Sequence, residues 1–367
     1  MKQVKGMALG LALAMTLAAV TACGGSQQGS RSEASSSATE AVSAVAEVTP
    51  APAADREDAS ALILTDQAGR EVRLESPAET IVSGYYISTS ACIALGLEDK
   101  LAGIEAKAES RPIYKLAAPQ MLSLPNVGTA KEFNLEGCLA LDPDLVILPK
   151  RLADSANTLS DMGVPVLLVN PESRQGLMEM IALIGRAAGA EQEADRLLQY
   201  YEDKLAETAA LVAQAADKPR VYMGGNSSYL TTAPGGMYQS GLMEAAGGVN
   251  AAGQLEGDSW TEVSYEQILA LNPDVIVLPS EAGYSKEDVL ADPQLAAVTA
   301  VANGAVYQMP TAFEAWDSPT TSCILGIRWL LNVLHEDLYS HQMLEEDVTA
   351  FYRDFYRASI DTALIGK

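Results

Sequence analysis

The chain has 367 residues, 48% of them hydrophobic, and a formal net charge of −24. That length supports two ordinary domains with a sizeable core, while the acidity argues against nucleic acid as a partner, which needs a basic face to replace phosphate counterions. Two histidines, and cysteines without a CxxC spacing, leave direct zinc or manganese binding poorly supplied with ligands.

The chain opens as a targeting segment. Lys2 and Lys5 form a positive n-region and residues 7–20 an apolar h-region. The segment ends Val20-Thr21-Ala22-Cys23-Gly24, which resembles the lipobox of bacterial lipoproteins. The resemblance implies a signal peptide over residues 1–22 and a diacylglycerol on the Cys23 sulfur. The alternative is an ordinary secretory signal with an incidental cysteine. Residues 23–60 then read as the lipidated cysteine and a flexible tether: Ser, Ala, Thr, Glu and Gln dominate, Pro50 and Pro52 interrupt, and no aromatic residue is present. Cys92, Cys138 and Cys323 lie in apolar runs and read as buried thiols.

From residue 62 the pattern becomes that of a folded body. Residues 62–74 alternate around a Gln-Ala-Gly turn and predict a hairpin. A strand is expected over residues 81–84, a helix over 89–95 closed by Gly96, and a strand over 101–104. A long loop then carries Arg111, Pro112, Tyr114 and Pro119. Next come a helix and a strand over 145–148, a helix ending at Gly163, and a strand over 166–169. Residues 173–188 predict a helix, and residues 191–216 a second with no Gly or Pro to interrupt it. Strands at 221–223, 275–278 and 305–309 follow, with helices around 241–246 and 290–302, another from Pro319 capped by Asp317 or Ser318, and a last one over 345–356. Strands alternating with helices give an α/β fold with mainly parallel sheets.

One segment occurs twice. Residues 134–149 read NLEGCLALDPDLVILP and residues 264–279 read SYEQILALNPDVIVLP, identical at eight of sixteen positions with a constant offset of 130. Each copy has a polar cap, a short apolar helix, an Asp-Pro or Asn-Pro turn, a buried strand and a closing Pro. Two copies predict two similar lobes and a cleft between them. The expected organisation is an N-terminal α/β lobe (residues 61–190), a linker helix (191–217) and a C-terminal α/β lobe with a terminal helix (218–361).

The opening hairpin TDQAGREVRL, the two repeat phrases and the segment WDSPTTSCILGIRWL together resemble the solute-binding lipoproteins of bacterial ABC importers for iron complexes, haem and cobalamin. The likeness spans roughly residues 62–339. It implies two Rossmann-like α/β lobes joined by one long rigid helix, with a ligand cleft between them. The implied role is a monomeric, extracytoplasmic binding protein, lipid-anchored to the outer face of the cytoplasmic membrane, that carries a metal chelate to a permease and needs no cofactor. In the family one glutamate on each lobe pairs with permease arginines, and Glu136 and Glu266 match that pattern. Both also lie one residue into a helix behind a polar cap, where a carboxylate favours the helix dipole regardless of partners.

The cleft is expected to be lined by loops at the carboxyl ends of the strands. On the first lobe these carry Tyr85, Tyr86, Arg111, Tyr114 and Lys131. On the second they carry Tyr229, Met237, Tyr238, Trp260, Trp316 and Asp317. Aromatic walls suit a large, flat, partly apolar ligand. Arg111 and Lys131 suit the anionic groups of a ferric siderophore or haem, and Tyr85 or Tyr86 is a candidate tyrosinate for haem iron. Trp260 stands six residues before Glu266, where the cobalamin-binding member of the family has a ligand-contacting Trp, but the matching first-lobe position is Ala130. Siderophore, haem and corrinoid all remain open on sequence. No GxSxG, HExxH or Walker motif occurs, and no GxGxxG follows a strand, which argues against an enzyme. A surface module that has lost transport is the other alternative.

Overall fold

The computed structural model describes residues 61–366. The expected signal peptide, the lipidation site Cys23 and the tether lie outside those residues.

The first half begins with an antiparallel hairpin, β1 (Leu62–Thr65) and β2 (Glu71–Leu74). There follow β3 (Ile81–Ser83), α1 (Tyr86–Ala94), β4 (Leu101–Ile104), α2 (Pro112–Ala117), α3 (Leu135–Leu139), β5 (Leu145–Pro149), α4 (Ala153–Asp161), β6 (Val166–Val169) and α5 (Arg174–Ala188). The long helix α6 (Glu191–Val212) leads to the second half. That half comprises β7 (Arg220–Met223), β8 (Thr231–Thr232), α7 (Tyr238–Ala245), β9 (Val249–Asn250), β10 (Thr261–Glu262), α8 (Tyr265–Leu271), β11 (Val275–Leu278), α9 (Lys286–Ala291), α10 (Thr299–Ala302), β12 (Val306–Gln308), α11 (Cys323–Leu334) and α12 (His341–Tyr356).

Each half builds one parallel four-stranded sheet, in the orders β4-β3-β5-β6 and β9-β7-β11-β12. These are the same topology: the first strand is central, the second lies to one side and the next two to the other. The repeat explains why. In each copy the residue before the turn proline, Asp142 or Asn272, adopts a left-handed conformation with φ of 47° or 39°, which Asp and Asn tolerate better than other non-glycine residues. Two residues on, Asp144 and Asp274 each accept a backbone N–H from the neighbouring strand, from Thr80 and Arg220 respectively, both at 2.8 Å. At the far end Gly84 and Gly224 donate to the equivalent carbonyls of Ile147 and Val277. The same phrase therefore fixes the same strand register twice.

Alternation sorts the strand side chains onto two faces. Leu145 and Ile147 of β5, with Val275 and Val277 of β11, enter one continuous central core that also holds Tyr201, Trp316 and Phe351. Val146 and Leu148 face a satellite cluster under α3 and α4, and Ile276 and Leu278 face its counterpart in the second half. The two sheets thus share one core. Helix α6 carries Tyr201 into it, and the buried Arg328 of α11 ties α6 to α12 by donating to Glu207 and Asp347. Helix α12 reaches back to the first half, where the Tyr356 hydroxyl meets Ser90 of α1.

The structure corrects several expectations. The segment after β4 is not a bare loop: Pro112 starts α2, flanked by 3₁₀ turns. The predicted helix over 290–302 is two short helices, because Asp292 precedes Pro293 and is held extended at ψ 113°. Helix α6 ends at Val212 rather than 216. Its last residues tighten into i→i+3 bonds ahead of Pro219, which leaves 22 residues and about 33 Å of helix. Helix α11 begins at Cys323, so Asp317 and Ser318 cap nothing there.

Candidate functional site

Both sheets change direction between their first and third strands, β3 and β5 in one and β7 and β11 in the other. Loops leaving the carboxyl ends at such a point diverge and open a crevice. Here the crevice walls are Gly84-Tyr85-Tyr86 and Lys150-Arg151 on the first half, against Gly224-Gly225 and Ser280-Glu281 on the second.

The first-half wall encloses a cavity of about 560 Å³ lined by Tyr85, Tyr86, Glu105, Lys107, Arg111, Thr129, Ala130, Lys131 and Arg151. Four of these are cations. The single acid, Glu105, is buried, and burial raises its pKa against the opposing hydrogen bonds from Thr89 and Tyr114. The wall is therefore electropositive within a chain whose net charge is −24. The Arg111 guanidinium lies 4.1 Å from the centroid of the Tyr86 ring, and the Arg151 guanidinium 5.2 Å from that of Tyr85. Burial pushes the Tyr86 phenol up to about 12 and that of Tyr85 well above its ordinary value, so both phenols are protonated at neutral pH.

Tyr86 and Arg111 also line a smaller cavity of about 120 Å³, whose other wall comes from the second half: Ser280, Glu281, Phe313, Glu314 and Thr320. Arg111 crosses the crevice to Glu281, 3.1 Å from Nη1 to Oε1. Glu314 is buried and accepts hydrogen bonds from the Ser90 and Tyr356 hydroxyls, yet burial holds its pKa above the usual carboxylate range. Asp317 is also buried. Burial raises its pKa, while the Ser280 N–H, 2.9 Å from its Oδ1, opposes the rise. The Ser280 hydroxyl lies beside that carboxyl, where it helps hold charge, without completing a hydrogen bond. A third opening, about 560 Å³, sits where Glu172, Arg174 and Gln175 of the first half face Gly236, Met237 and Tyr238 of the second.

The structure thus brings Tyr85, Tyr86, Arg111 and Lys131 together on one wall and sets Met237 and Tyr238 at another part of the crevice. Trp316 is corrected: it is 0% exposed, stacks on Phe313 with 10° between the rings, and donates its indole N–H to the Tyr352 hydroxyl at 3.0 Å. It belongs to the core. Asp317 is buried behind the crevice, where its carboxylate accepts the Ser280 N–H. Tyr229 is half-buried at the margin of the second-half satellite cluster: its ring packs edge-on against Tyr284 and its hydroxyl donates to Asp292. Trp260 is half-buried, against the Gly225 backbone.

Sequence reading missed Arg151, Lys107, Ser280 and Glu281. The signal was available: Arg151 and Glu281 each stand two residues past the closing proline of a repeat copy, where a strand has just delivered the chain to the crevice.

Glu136 and Glu266 are exposed in the first turns of α3 and α8. The caps are as read from sequence. Asn134 accepts the Gly137 N–H, and Ser264 forms a reciprocal capping box with Gln267. The Glu266 carboxyl is held below its ordinary pKa by its own backbone N–H and then by Ser264.

A crevice between two parallel α/β sheets, lined by cationic and aromatic side chains, is a place for a small solute to bind. The chain belongs to the periplasmic binding protein family, whose sequence profile matches residues 81–312; these are the solute-binding components of ABC importers, acting outside the cytoplasm. It is similar to the molybdate-binding protein MolA of Haemophilus influenzae, 25% identical over 81% of this chain and 91% of that protein. It is similar also to a cobalamin-binding protein of Halobacterium salinarum, 27% identical over 72% of this chain and 71% of that protein. Among solved structures, a periplasmic solute-binding protein from Veillonella parvula shares the fold with a TM-score of 0.75 at 24% identity, covering 83% of this chain and 96% of that one.

Proposed function

We propose that this chain captures an anionic iron chelate, a ferric siderophore or haem, and delivers it to a membrane permease. The observation that carries the reading is the wall of Lys107, Arg111, Lys131 and Arg151 around Tyr85 and Tyr86. Of the four, Arg111 meets a resident carboxylate, Glu281; an anionic ligand supplies counter-charge for the others. The aromatic faces suit the flat or apolar parts of a chelate. Molybdate, named for one relative, is likewise an anion. In this reading Cys23 carries the lipid anchor, as a relative from Bacillus subtilis is named a lipoprotein. Glu136 and Glu266 supply one carboxylate per lobe for permease arginines.

Trp260 favours a second reading, a corrinoid. It stands at the position implied by the cobalamin-binding pattern, and relatives are named for cobalamin and vitamin B12. Ala130, at the matching place on the cationic wall, offers no second stacking ring.

Native mass spectrometry and visible spectra of the full chain with haem, ferric siderophores, molybdate and cobalamin test both. A one-to-one complex with an anionic iron chelate is the expected result. A complex with cobalamin alone establishes the second reading, and no complex with an iron chelate overturns the first.

A further inference from the structure

Arg111 and Glu281 are held together, yet neither is committed. Arg111 uses one N–H of its guanidinium on Glu281 and makes no other side-chain hydrogen bond among the described residues. The pair is solvent-accessible, at 29% and 57% exposure, so it is weakly held. The guanidinium sits 4.1 Å from the centroid of the Tyr86 ring, and its remaining donors form a rigid fork available for a planar or tetrahedral oxyanion. Beside them Ser280 is buried at the same small cavity, with a hydroxyl that lacks a hydrogen bond. The cavity, about 120 Å³, is small against the roughly 300–1,000 Å³ of sites that enclose a whole drug-sized molecule.

We infer that this corner of the crevice is an anion-exchange position, in which Glu281 is a resident counter-ion that a carboxylate or oxyanion of the solute displaces from Arg111, with the Ser280 hydroxyl donating to the incoming group. The inference rests on the reading of the solute as anionic. It adds that Glu281 sets affinity and selectivity by competing for Arg111. A solute group that grips the guanidinium at two points replaces a side chain that grips it at one. Glu281, released, is exposed enough to return to water. The oxyanion has two possible sources, a free small anion or the carboxylate arm of a larger chelate whose body occupies the wide cavity.

Calorimetric titration of the full chain and of Glu281→Gln, Ser280→Ala and Arg111→Gln tests this. The probes are molybdate and phosphate for the free source, ferric citrate and haem for the chelate-borne source, and dicyanocobinamide, a corrinoid with neither a carboxylate nor a phosphate. Glu281→Gln, which keeps shape and removes the competing charge, is expected to tighten oxyanion-bearing probes about tenfold and leave dicyanocobinamide unchanged. Ser280→Ala weakens the same probes severalfold, and Arg111→Gln abolishes the gain when combined with Glu281→Gln. A gain confined to molybdate or phosphate assigns the corner to a free anion, and a gain with ferric citrate or haem to a chelate arm; both support the exchange. Tight chelate binding that Glu281→Gln leaves unaltered overturns the exchange while the importer reading stands. An equal gain for dicyanocobinamide overturns it as mere widening of the cavity. Absence of binding by any probe to either protein overturns both readings.

Discussion

Arg151 and Glu281 occupy the same position in the two halves of the molecule, two residues beyond the proline that closes each repeat copy. The backbone that delivers them is duplicated: equivalent strands, equivalent register, equivalent left-handed turns. Their charges are opposite. One half presents a guanidinium against Tyr85, and the other a carboxylate that reaches across to Arg111. A crevice built by near-symmetric halves is thereby polarised, cationic on one wall and acidic on the other.

The proposed docking roles of Glu136 and Glu266 are separable from solute capture. Both side chains are exposed, in the first turns of short capped helices. Reversing both charges, Glu136→Lys with Glu266→Lys, is expected to abolish uptake while solute affinity stays within error of wild type. Transport assays alongside equilibrium binding check this, and uptake at the unmutated rate refutes the docking role.

Trp316 is a packing residue. Trp316→Ala removes a fully buried ring from the stack with Phe313 and the hydrogen bond to Tyr352, at a cost of about 3–5 kcal/mol. Denaturant unfolding at room temperature measures it. Loss of solute affinity without loss of stability contradicts the core placement.

Glu314 makes stability depend on pH in a direction opposite to that of a salt-bridged acid. Its folded pKa is raised above the unfolded value of about 4.5, so the folded state holds the proton longer. The stability linked to that proton is complete below about pH 4.5 and is lost as pH rises through the folded value. Glu314→Gln keeps the hydrogen-bonding shape without the charge, since the surrounding hydroxyls can reverse their roles. Thermal melts at pH 5 and pH 8 are expected to show the variant gaining on wild type as pH rises. An unchanged difference counts against a proton held at Glu314.

Closure on binding is expected to be small. The sheets share one core, α6 spans both halves, and α12 contacts α1; a hinge would have to shear packed side chains. Scattering curves of free and solute-loaded protein should nearly superimpose, and a marked compaction contradicts this.

Most strands were legible because each is a short apolar run between turn residues. β4 and β6 match expectation residue for residue, and the repeat predicted two similar sheets. The site was half legible. Tyr85, Tyr86, Arg111 and Lys131 were found as aromatic and basic residues in loops that the topology brings to one wall. Trp316 was misplaced because an aromatic ring in a loop reads the same whether it lines a cavity or fills a core; only packing against Phe313 decides. Lys107 and Arg151 were missed because an isolated cation in sequence looks like a solvated one until the fold gathers four of them.

The cationic wall is the central claim, and one comparison tests it most directly: equilibrium affinity of the full chain for haem and ferric citrate, in wild type and in a variant with Lys107, Arg111, Lys131 and Arg151 all replaced by Gln. With each charge-assisted bond worth about 1.5–3 kcal/mol, loss of even two of them predicts a drop of a hundredfold or more. Affinity for both probes unchanged by the four substitutions would contradict the account.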